Sequence, residues 1–450
     1  MNIVTIIKHF VASFYFTTYY YAAIGIVAVI QLIAFFIEWL QFPAQILFVA
    51  LLVYPVMDAL MLYLPKFGIK ARRDTPDRLS NGDDNPISIH IENNYGFNTT
   101  IHIIDEIPHQ FQQRNINFDT TLSAGEQKVI SYKLRPTERG EYSFGAVNIF
   151  IESPLRAVQR KVSFSNNAMV PVYPSYIQMR KYELLAATNR LVDVGIKKIR
   201  RAGHAKEFDQ IREYIPGDEY RTINWNATAR KGQLMVNQYQ DEKSQHVYSL
   251  IDMGRTMKMP FERLTLLDYA INASLVISNI AMHKDDKAGL ITFTENIESL
   301  LKADKGKGQL RKILDTLYNQ ETRFRESNYE MLYTTVRRQI HQRSLLLLFT
   351  NFETHSSMKR QLKYFSMLAK SHLLCVIFFE NTELNSLLTT PPRTLADIYI
   401  KTIGEKFAYE KKLITSELER HGIQCIFTPP QNLTVNTINK YLELKAKGMI

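Results

Sequence analysis

Apolar residues form two long runs near the N-terminus of this 450-residue chain. The first run, residues 10–37, contains no charged residue and is rich in isoleucine, valine, alanine and aromatic residues. The second run, residues 44–64, carries a single acid, Asp58, and one proline, Pro55. Because about 20 apolar residues in a helix span the hydrocarbon core of a bilayer, the pattern predicts a transmembrane helical hairpin over residues 1–66.

The charges that flank the two runs predict the orientation of the hairpin. Lys8 precedes the first run, and the short connection offers only Glu38. Four basic residues follow the second run: Lys66, Lys70, Arg72 and Arg73. Basic residues concentrate on the cytoplasmic side of membrane helices, so we expect both termini and the soluble parts in the cytoplasm. Asp58 is either a functional acid or a residue partnered within the hairpin or an oligomer, and both alternatives stay open.

Polar and apolar residues alternate with a period of two in the middle of the chain. Residues 87–92 are the clearest case, because such alternation places one set of side chains in a core and the other in solvent. Turn signals separate this segment from further short apolar segments, at residues 100–105, 127–134, 140–144 and 147–151. Several short strands at this spacing predict a small β-sandwich domain over residues 84–165.

Short apolar runs alternate with segments of helical periodicity from residue 241 to residue 450. The predicted strands are residues 247–251, 288–294, 344–350, 373–380 and 424–428. The predicted helices are residues 264–282, 310–318, 329–341, 358–370, 406–421 and 434–447. This alternation indicates an α/β doubly wound domain with a mostly parallel sheet. Ligands of such sheets bind at the carboxyl ends of the strands, where we expect Asp252 and Asn351.

A dense polar segment, residues 207–230, lies within the connection that we predict over residues 170–240. Acids and arginines are mixed closely in it, and an arginine can clamp a carboxylate with two parallel hydrogen bonds. We expect an ordered extended segment that ion pairs staple and that Trp225 anchors on the next domain. The alternative is an edge that recognises a partner, and the two are compatible. The structural residues of this signature are Arg212, Pro216, Gly217, Asp218, Arg221, Asn224, Trp225 and Arg230.

The formal charge of +11 brings nucleic acid, anionic lipid and acidic proteins into consideration as partners. The basic run Lys197–Arg201 suits the first two, but no nucleic-acid-binding motif accompanies it, so a solvated loop is the simpler interpretation. Cys375 and Cys425 lie in separate apolar runs, which indicates buried thiols rather than a disulfide. Phosphate-loop, zinc-protease and nucleophile-elbow motifs are absent from the sequence, and we assign no catalytic residue.

The signature resembles that of a bacterial family known as domain of unknown function 58. The matching residues are Arg212-Glu213-Tyr214, Pro216-Gly217-Asp218, Arg221, Ile223-Asn224-Trp225 and Ala227-Thr228-Ala229-Arg230. The family has two membrane helices, a small β-domain, the signature and a von Willebrand factor A-like domain, and the four parts occur here in that order. The resemblance implies a protein of the bacterial cytoplasmic membrane that partners a MoxR-type AAA+ ATPase, in envelope maturation or stress response, without known catalytic activity.

The resemblance also implies a possible Mg²⁺ site, because A-type domains hold this ion with an Asp-x-Ser-x-Ser loop, a threonine and an aspartate. Here the first loop is Asp252-Met253-Gly254-Arg255-Thr256, so a glycine replaces one hydroxyl ligand. Ser327 matches the second-loop hydroxyl better than Thr322, and Asn351 replaces the last aspartate. The degenerate site would consist of Asp252, Thr256, Ser327 and Asn351. Either Mg²⁺ binds it weakly, or the site is vestigial and Arg255 or a water fills the space.

We therefore expect a non-enzymatic, membrane-tethered adaptor whose α/β domain binds a protein partner, with the four candidate ligands on the rim of the contact surface. The first alternative is a metal-dependent hydrolase that uses Asp252 with the acids of the signature, although no general base is evident. The second alternative is a surface, Lys197–Arg201, that binds anionic lipid or nucleic acid. Of these two partners we do not expect nucleic acid, because no nucleic-acid-binding motif accompanies the basic run.

Overall fold

A computed structural model divides the chain into two compact units, Met1–Tyr173 and Pro174–Ile450. The structure describes residues 8, 10–65, 68–113, 116–164, 168–187, 206–241, 244–262, 264–306, 308–322, 324–382, 384, 392 and 394–449. The basic run Lys197–Arg201 lies outside the described residues.

The first unit contains a helical hairpin and a β-domain. The helices are α1 (Thr18–Phe36) and α2 (Glu38–Tyr63). The strands are β1 (Phe14–Phe16), β2 (Ile69–Asp74), β3 (Leu79–Ser80), β4 (Asn85–Asn93), β5 (Thr99–Asp105), β6 (Ile116–Leu122), β7 (Gln127–Leu134), β8 (Gly140–Phe144), β9 (Val147–Glu152), β10 (Val158–Phe164) and β11 (Ala168–Tyr173).

Helices α1 and α2 are long and apolar enough to cross a membrane, and most of their surface is exposed. The hydroxyl of Thr17 caps α1 by accepting a hydrogen bond from the backbone N–H of Tyr20. The first apolar run does not form one helix from residue 10, because the strand β1 interrupts it at residues 14–16 and pairs antiparallel with β10. Helix α2 begins at Glu38, earlier than the predicted start at residue 44.

The β-domain contains three sheets, with strand orders β1-β10-β9-β5-β6, β2-β4-β7 and β3-β11-β8. Strand β4 follows its alternation, since Ile87, Ile89 and Ile91 are buried while the residues between them are more exposed. The domain is wider than residues 84–165, because β2 and β11 belong to its sheets. Strand β2 is poor in apolar residues. Its Arg73 is nevertheless buried, 2.5 Å from Asp105, so an ion pair lies in the interior of the domain.

Asp58 attaches helix α2 to the β-domain. Its carboxylate is fully buried and accepts hydrogen bonds from the backbone N–H groups of Ala157 and Val158, both at 2.7 Å, and from the hydroxyl of Ser153. Tyr20 and Leu62 of the hairpin join the same hydrophobic cluster as the sandwich core. Asp58 is therefore a partnered residue, and its partners lie in the β-domain rather than in the hairpin.

The second unit is an α/β domain preceded by a helix and a β-hairpin. Its helices are α3 (Tyr176–Ala187), α4 (Trp225–Lys231), α5 (Leu266–His283), α6 (Gln309–Tyr318), α7 (Tyr329–Gln339), α8 (His355–Ser371), α9 (Leu395–Arg420) and α10 (Leu433–Ala446). Its strands are β12 (Lys206–Glu213), β13 (Met235–Asp241), β14 (His246–Asp252), β15 (Pro260–Phe261), β16 (Leu264–Thr265), β17 (Lys287–Phe293), β18 (Ile297–Asp304), β19 (Leu345–Phe349), β20 (Leu373–Phe379) and β21 (Gln424–Thr428).

A six-stranded sheet forms the centre of this unit, with the order β18-β17-β14-β19-β20-β21. Its pairs are parallel except for β18, an antiparallel edge strand that the sequence pattern did not indicate. Helices α7, α8 and α9 cover one face through a large hydrophobic cluster, and α5, α6 and α10 cover the other. The five predicted strands are confirmed. Helix α9 begins at Leu395, eleven residues before the predicted start at residue 406.

Candidate functional site

Asp252 ends strand β14 at the carboxyl edge of the sheet, as expected, but its side chain is only 1% exposed. Four donors surround the carboxyl group. Oδ1 accepts from the backbone N–H of Gly254 at 2.8 Å and from the hydroxyl of Ser327. Oδ2 lies 2.9 Å from the Tyr329 hydroxyl and 2.7 Å from the Thr350 hydroxyl. A carboxyl group enclosed in this way is part of the domain interior and cannot form a contact surface.

Oδ2 of Asp252 and the two hydroxyl oxygens form a closed triangle, because the hydroxyls of Tyr329 and Thr350 also lie 2.7 Å from each other. Each hydroxyl carries one proton to donate, so two hydroxyls supply two of the three hydrogen bonds. A neutral Asp252 would supply the third proton, by donating to one of these hydroxyls and accepting from the other. Burial raises the pKa of Asp252, although the hydrogen bonds from Ser327, Thr350, Gly254 and Tyr329 lower it in part. Both observations favour a neutral carboxylic acid.

Gly254 leaves the space that the hydroxyl of Ser327 occupies. A β-carbon at position 254 would lie 2.1 Å from Ser327 Oγ and 3.0 Å from Asp252 Oδ1. The serine found at this position in the A-type motif therefore has no room here. Because position 254 is glycine and has no side chain, the hydroxyl of Ser327 can occupy the space beside Asp252.

Asn351 contacts a cation that belongs to the chain itself. Its Oδ1 accepts a hydrogen bond at 2.9 Å from the Lys411 ammonium on helix α9, which also donates to the carbonyl oxygen of Phe352. Burial lowers the pKa of Lys411 to about 8. The amide oxygen that was expected to replace an aspartate ligand is thus already bonded to a lysine.

The four candidate ligands do not assemble into a Mg²⁺ site. Ser327 reaches Asp252, but no hydrogen bond in the described part of the chain joins Asp252 to Thr256 or Asn351. Arg255 does not fill the space either, because its guanidinium lies 3.5 Å from Glu353 and 3.8 Å from Glu326 on the exposed rim. Mg²⁺ requires several oxygen ligands with free lone pairs, and those of Asp252 and Asn351 are engaged, so this donor set does not fit the ion.

The signature forms a β-hairpin of its own rather than an extended segment. Strands β12 and β13 pair antiparallel with a bulge near Phe208, and in the described residues they pair with no strand of the six-stranded sheet. A single turn of 3-10 helix, Tyr220–Thr222, and the short helix α4 occupy the connection between the strands. Strand pairing in the described residues therefore joins the signature to itself and not to the sheet, and packing of the signature residues against the sheet stays a prediction.

Arg212 and Asp218 brace the turn of this hairpin, as the sequence predicted. Two parallel hydrogen bonds of 2.8 and 2.7 Å join the guanidinium to the carboxylate. These bonds raise the pKa of Arg212 and, with a hydrogen bond from the backbone N–H of Ile215, lower the pKa of Asp218. Gly217 takes a φ of 111°, which an L-residue rarely adopts. The described ion pairs include neither Arg221 nor Arg230.

Trp225 does not anchor the signature, because its side chain is 68% exposed. It begins helix α4, which Asn224 caps by accepting from the backbone N–H of Ala227 while donating to Asn237 at 2.8 Å. Ile215 and Tyr220 are also strongly exposed, at 59% and 76%. The tryptophan was expected to pack because tryptophan is usually buried. Here the helix cap sets its direction, and the side chain points into solvent.

Three residues of the site were not assigned roles from the sequence. The hydroxyls of Tyr329 and Thr350 contact Asp252, and each residue lies within two positions of a candidate ligand, Ser327 or Asn351. Lys411 interrupts the buried stripe that Ile414 and Leu418 form on helix α9. A lone lysine on an apolar stripe is a signal that sequence inspection could use.

A model of the family described as Protein of unknown function DUF58 matches residues 210–385. This range begins within β12 and ends beyond β20, so it includes the signature hairpin and the site around Asp252. The uncharacterized protein YeaD of Bacillus subtilis (strain 168) is 27% identical over 123 residues, which are 27% of this chain and 30% of that protein. The match thus spans less than a third of the relative's length.

Solved structures resemble parts of the chain weakly. The CARDB domain of the PF1109 protein from Pyrococcus furiosus covers 21% of the chain, with 85% of its own length matched, 18% identity and a TM-score of 0.16. Proximal thread matrix protein 1 from the mussel byssus covers 45% of the chain, with 46% of its own length matched, 8% identity and a TM-score of 0.25. Scores of this size carry no inference about fold or function.

Proposed function

We propose that this protein is a non-enzymatic, membrane-tethered adaptor of the bacterial cytoplasmic membrane, with its soluble domains in the cytoplasm. Helices α1 and α2 would provide a multi-pass anchor. The six-stranded sheet, with one antiparallel edge strand and helices on both faces, supports a von Willebrand factor A-like domain. The partner would be a MoxR-type AAA+ ATPase, as the family resemblance implies, in envelope maturation or stress response.

The observation that carries the proposal is the exposed apolar set Ile215, Tyr220 and Trp225 on the braced signature hairpin. Tryptophan, tyrosine and arginine are the residues that most often dominate the binding energy of protein interfaces. Arg212, with its clasp to Asp218, and the cap at Asn224 hold these side chains on a preorganised frame, which lowers the entropic cost of association. We therefore place the partner surface on the signature and not on the buried Asp252.

The burial of Asp252 argues against the hydrolase alternative, because a metal-dependent hydrolase needs an open metal position beside its carboxylate ligand. The burial of Asp252 also moves the proposed partner surface from the carboxyl edge of the sheet, where the sequence suggested it, to the signature. The carboxyl edge of the sheet would have a structural role at Asp252, and its charged rim at Arg255, Glu326 and Glu353 would remain accessible.

Co-purification tests the proposal. The full-length protein is co-expressed with a MoxR-type ATPase, extracted in mild detergent and captured, and the bound ATPase is quantified. Trp225→Ala and Tyr220→Ala should each reduce the captured ATPase at least about tenfold, the loss expected of a side chain worth about 1.4 kcal/mol or more in an interface.

Tyr399→Ala is the matched control, because Tyr399 on helix α9 is 65% exposed and lies outside the signature. It should leave the captured amount unchanged. Equal capture by all the variants would place the partner elsewhere, and an ATPase that is not captured by the wild-type protein would contradict its identity as the partner.

A further inference from the structure

The length of helix α2 assigns a depth in the bilayer to each of its residues. The helix has 26 residues, and at about 1.5 Å per residue it is about 39 Å long. The hydrocarbon core of a bilayer is about 30 Å thick, so about six residues must lie outside it. Trp39 marks one end, and tryptophan is typical of the membrane interface. The other end, Asp58–Tyr63, then extends into the headgroup layer.

The turn between β9 and β10, residues 153–157, is fixed at the same level as Asp58. Ala157 donates its backbone N–H to the Asp58 carboxylate at 2.7 Å. The Tyr54 hydroxyl, one helical turn earlier, donates to the carbonyl oxygen of Leu155. Thr17 donates its hydroxyl to the carbonyl oxygen of Arg156. The turn is therefore bonded to both sides of the helical hairpin and shares its depth.

Arg156 has an unusual backbone within this turn. Its φ is +56°, in the left-handed region, where glycine or asparagine is expected and other L-residues are uncommon. Its side chain is exposed, and its guanidinium lies 5.7 Å from the centre of the exposed Tyr19 ring. A strained backbone that carries a long, exposed cation indicates that the side chain has a role.

The surroundings of Arg156 match a membrane interface. Tyr15, Phe16, Tyr19 and Tyr21 are exposed next to the junction of the hairpin and the β-domain. Asp58, which holds the turn, is buried and already bonded to three donors. The described ion pairs do not include Arg156. Aromatic rings and a free cation at headgroup depth are the groups that bind an anionic lipid.

We propose that the turn of residues 153–157 is a headgroup site in which Arg156 binds the phosphate of an anionic phospholipid, with Tyr19 beside it. This inference rests on the membrane anchoring in the proposed function. It adds a lipid-binding role to the β-domain, which would then lie directly on the bilayer surface. The occupant is a membrane lipid, because the depth of the turn comes from its bonds to helix α2.

The first experiment measures depth in the full-length protein reconstituted into vesicles of phosphatidylcholine and phosphatidylglycerol. The chain has two tryptophans, so Trp225→Phe leaves Trp39 as the single emitter. Lipids brominated at different depths should quench Trp39 most strongly near the interface opposite the β-domain. A Trp39 that no brominated lipid quenches would show that the hairpin is outside the bilayer, which would overturn both the anchoring and the headgroup site.

The second experiment isolates the headgroup site. Pro154→Trp in a Trp39→Phe, Trp225→Phe background places the emitter on the exposed turn. Brominated phosphatidylglycerol should quench it with about fivefold higher relative affinity than brominated phosphatidylcholine, as expected for one basic residue near an anionic surface. The preference should weaken in high salt. Equal quenching by the two lipids, with Trp39 normally quenched in the first experiment, would overturn the headgroup site alone.

Three further variants assign the preference to the side chain of Arg156. Arg156→Gln should reduce the relative affinity to about one. Arg156→Gly should do the same, and it should fold, since glycine tolerates this φ. Arg135→Gln is the matched control, because Arg135 is an exposed arginine at the end of β7 in another sheet, and it should keep the preference. Loss of the preference in the control as well would contradict a local site.

Discussion

The two buried aspartates of this protein, Asp58 and Asp252, are satisfied in different ways. Asp58 accepts from two backbone amides and one serine hydroxyl, and each of these donors has a proton of its own. One amide and three hydroxyls surround Asp252, and two of these hydroxyls also contact each other. The donors of Asp58 supply one proton to each contact, whereas the hydroxyls of Tyr329 and Thr350 supply two protons to the three contacts that they form with Asp252 and with each other.

The difference shows why an acid at the end of a strand is a poor indicator of a metal site by itself. Backbone amides can only donate, so they select a charged acceptor. Hydroxyls both donate and accept, so they can surround a neutral acid equally well. The same residue type thus joins a helix to a sheet in one unit and closes a loop cluster in the other.

Asp58→Ala should have the largest effect. Two buried amides would lose their acceptor at about 1–3 kcal/mol each, so the first unit should lose about 2–6 kcal/mol of stability. Hydrogen exchange of residues 153–164, measured on the full-length protein in detergent, should accelerate strongly. Asp84→Ala, at an exposed acid of the same domain, should change stability by less than about 0.5 kcal/mol. Unchanged exchange in Asp58→Ala would contradict the attachment of α2 to the β-domain.

Gly254→Ala should destabilise the second unit by about 1–3 kcal/mol, the usual cost of overpacking. The reason is the 2.1 Å separation between the added carbon and Ser327 Oγ. The penalty should shrink by at least about 0.5 kcal/mol when Ser327→Ala removes that oxygen. Denaturant unfolding of the four proteins of this cycle measures the coupling, and additive penalties would count against the packing arrangement.

Asp252→Asn should cost less than about 1 kcal/mol, because an amide can replace a neutral acid among hydroxyls. The pH dependence of its stability, compared with that of the wild type, tests the direction of the pKa shift of Asp252. Burial raises the pKa of Asp252 in the folded protein, so as the pH rises above about 4 the unfolded state loses this proton first. Wild-type stability then falls until the folded pKa is passed, and the variant lacks this fall.

The stability of Asp252→Asn relative to wild type should therefore increase between pH 4 and pH 7, as measured by urea unfolding at several pH values. Other acids contribute equally to the two proteins and cancel in the difference. A relative stability that decreases over this range would mean that Asp252 is ionised in the fold.

Mg²⁺ should have the smallest effect. Because the oxygens of Asp252 and Asn351 are already bonded, we expect the melting temperature of the wild type to stay the same when Mg²⁺ is added, and Asp252→Asn to respond alike. Calorimetric titration gives an independent measurement. A rise in melting temperature for the wild type alone would revive the metal site, since a ligand that binds the folded state stabilises it.

Local pattern was enough to predict the main elements of this protein. The two apolar runs, the alternation around Ile89 and the five buried strands of the α/β unit depend on periodicity, which neighbouring residues set. The expected clamp between an arginine and a carboxylate of the signature also forms between residues close in sequence, Arg212 and Asp218. These parts agree between sequence and structure because short-range geometry decides them.

Only the tertiary structure decided the partners of the buried polar groups. Asp58 meets Ala157, Asp252 meets Thr350 and Asn351 meets Lys411, and each pair is separated by about sixty residues or more. Hydroxyls, amides and a lysine could each donate a hydrogen bond to these oxygens. The donor that does so is the one that the fold brings within about 3 Å of the oxygen. The residue types at the strand ends therefore indicated where polar groups gather. The hydrogen-bond partners of those groups, and with them the ability to bind a metal, depended on contacts between residues far apart in sequence.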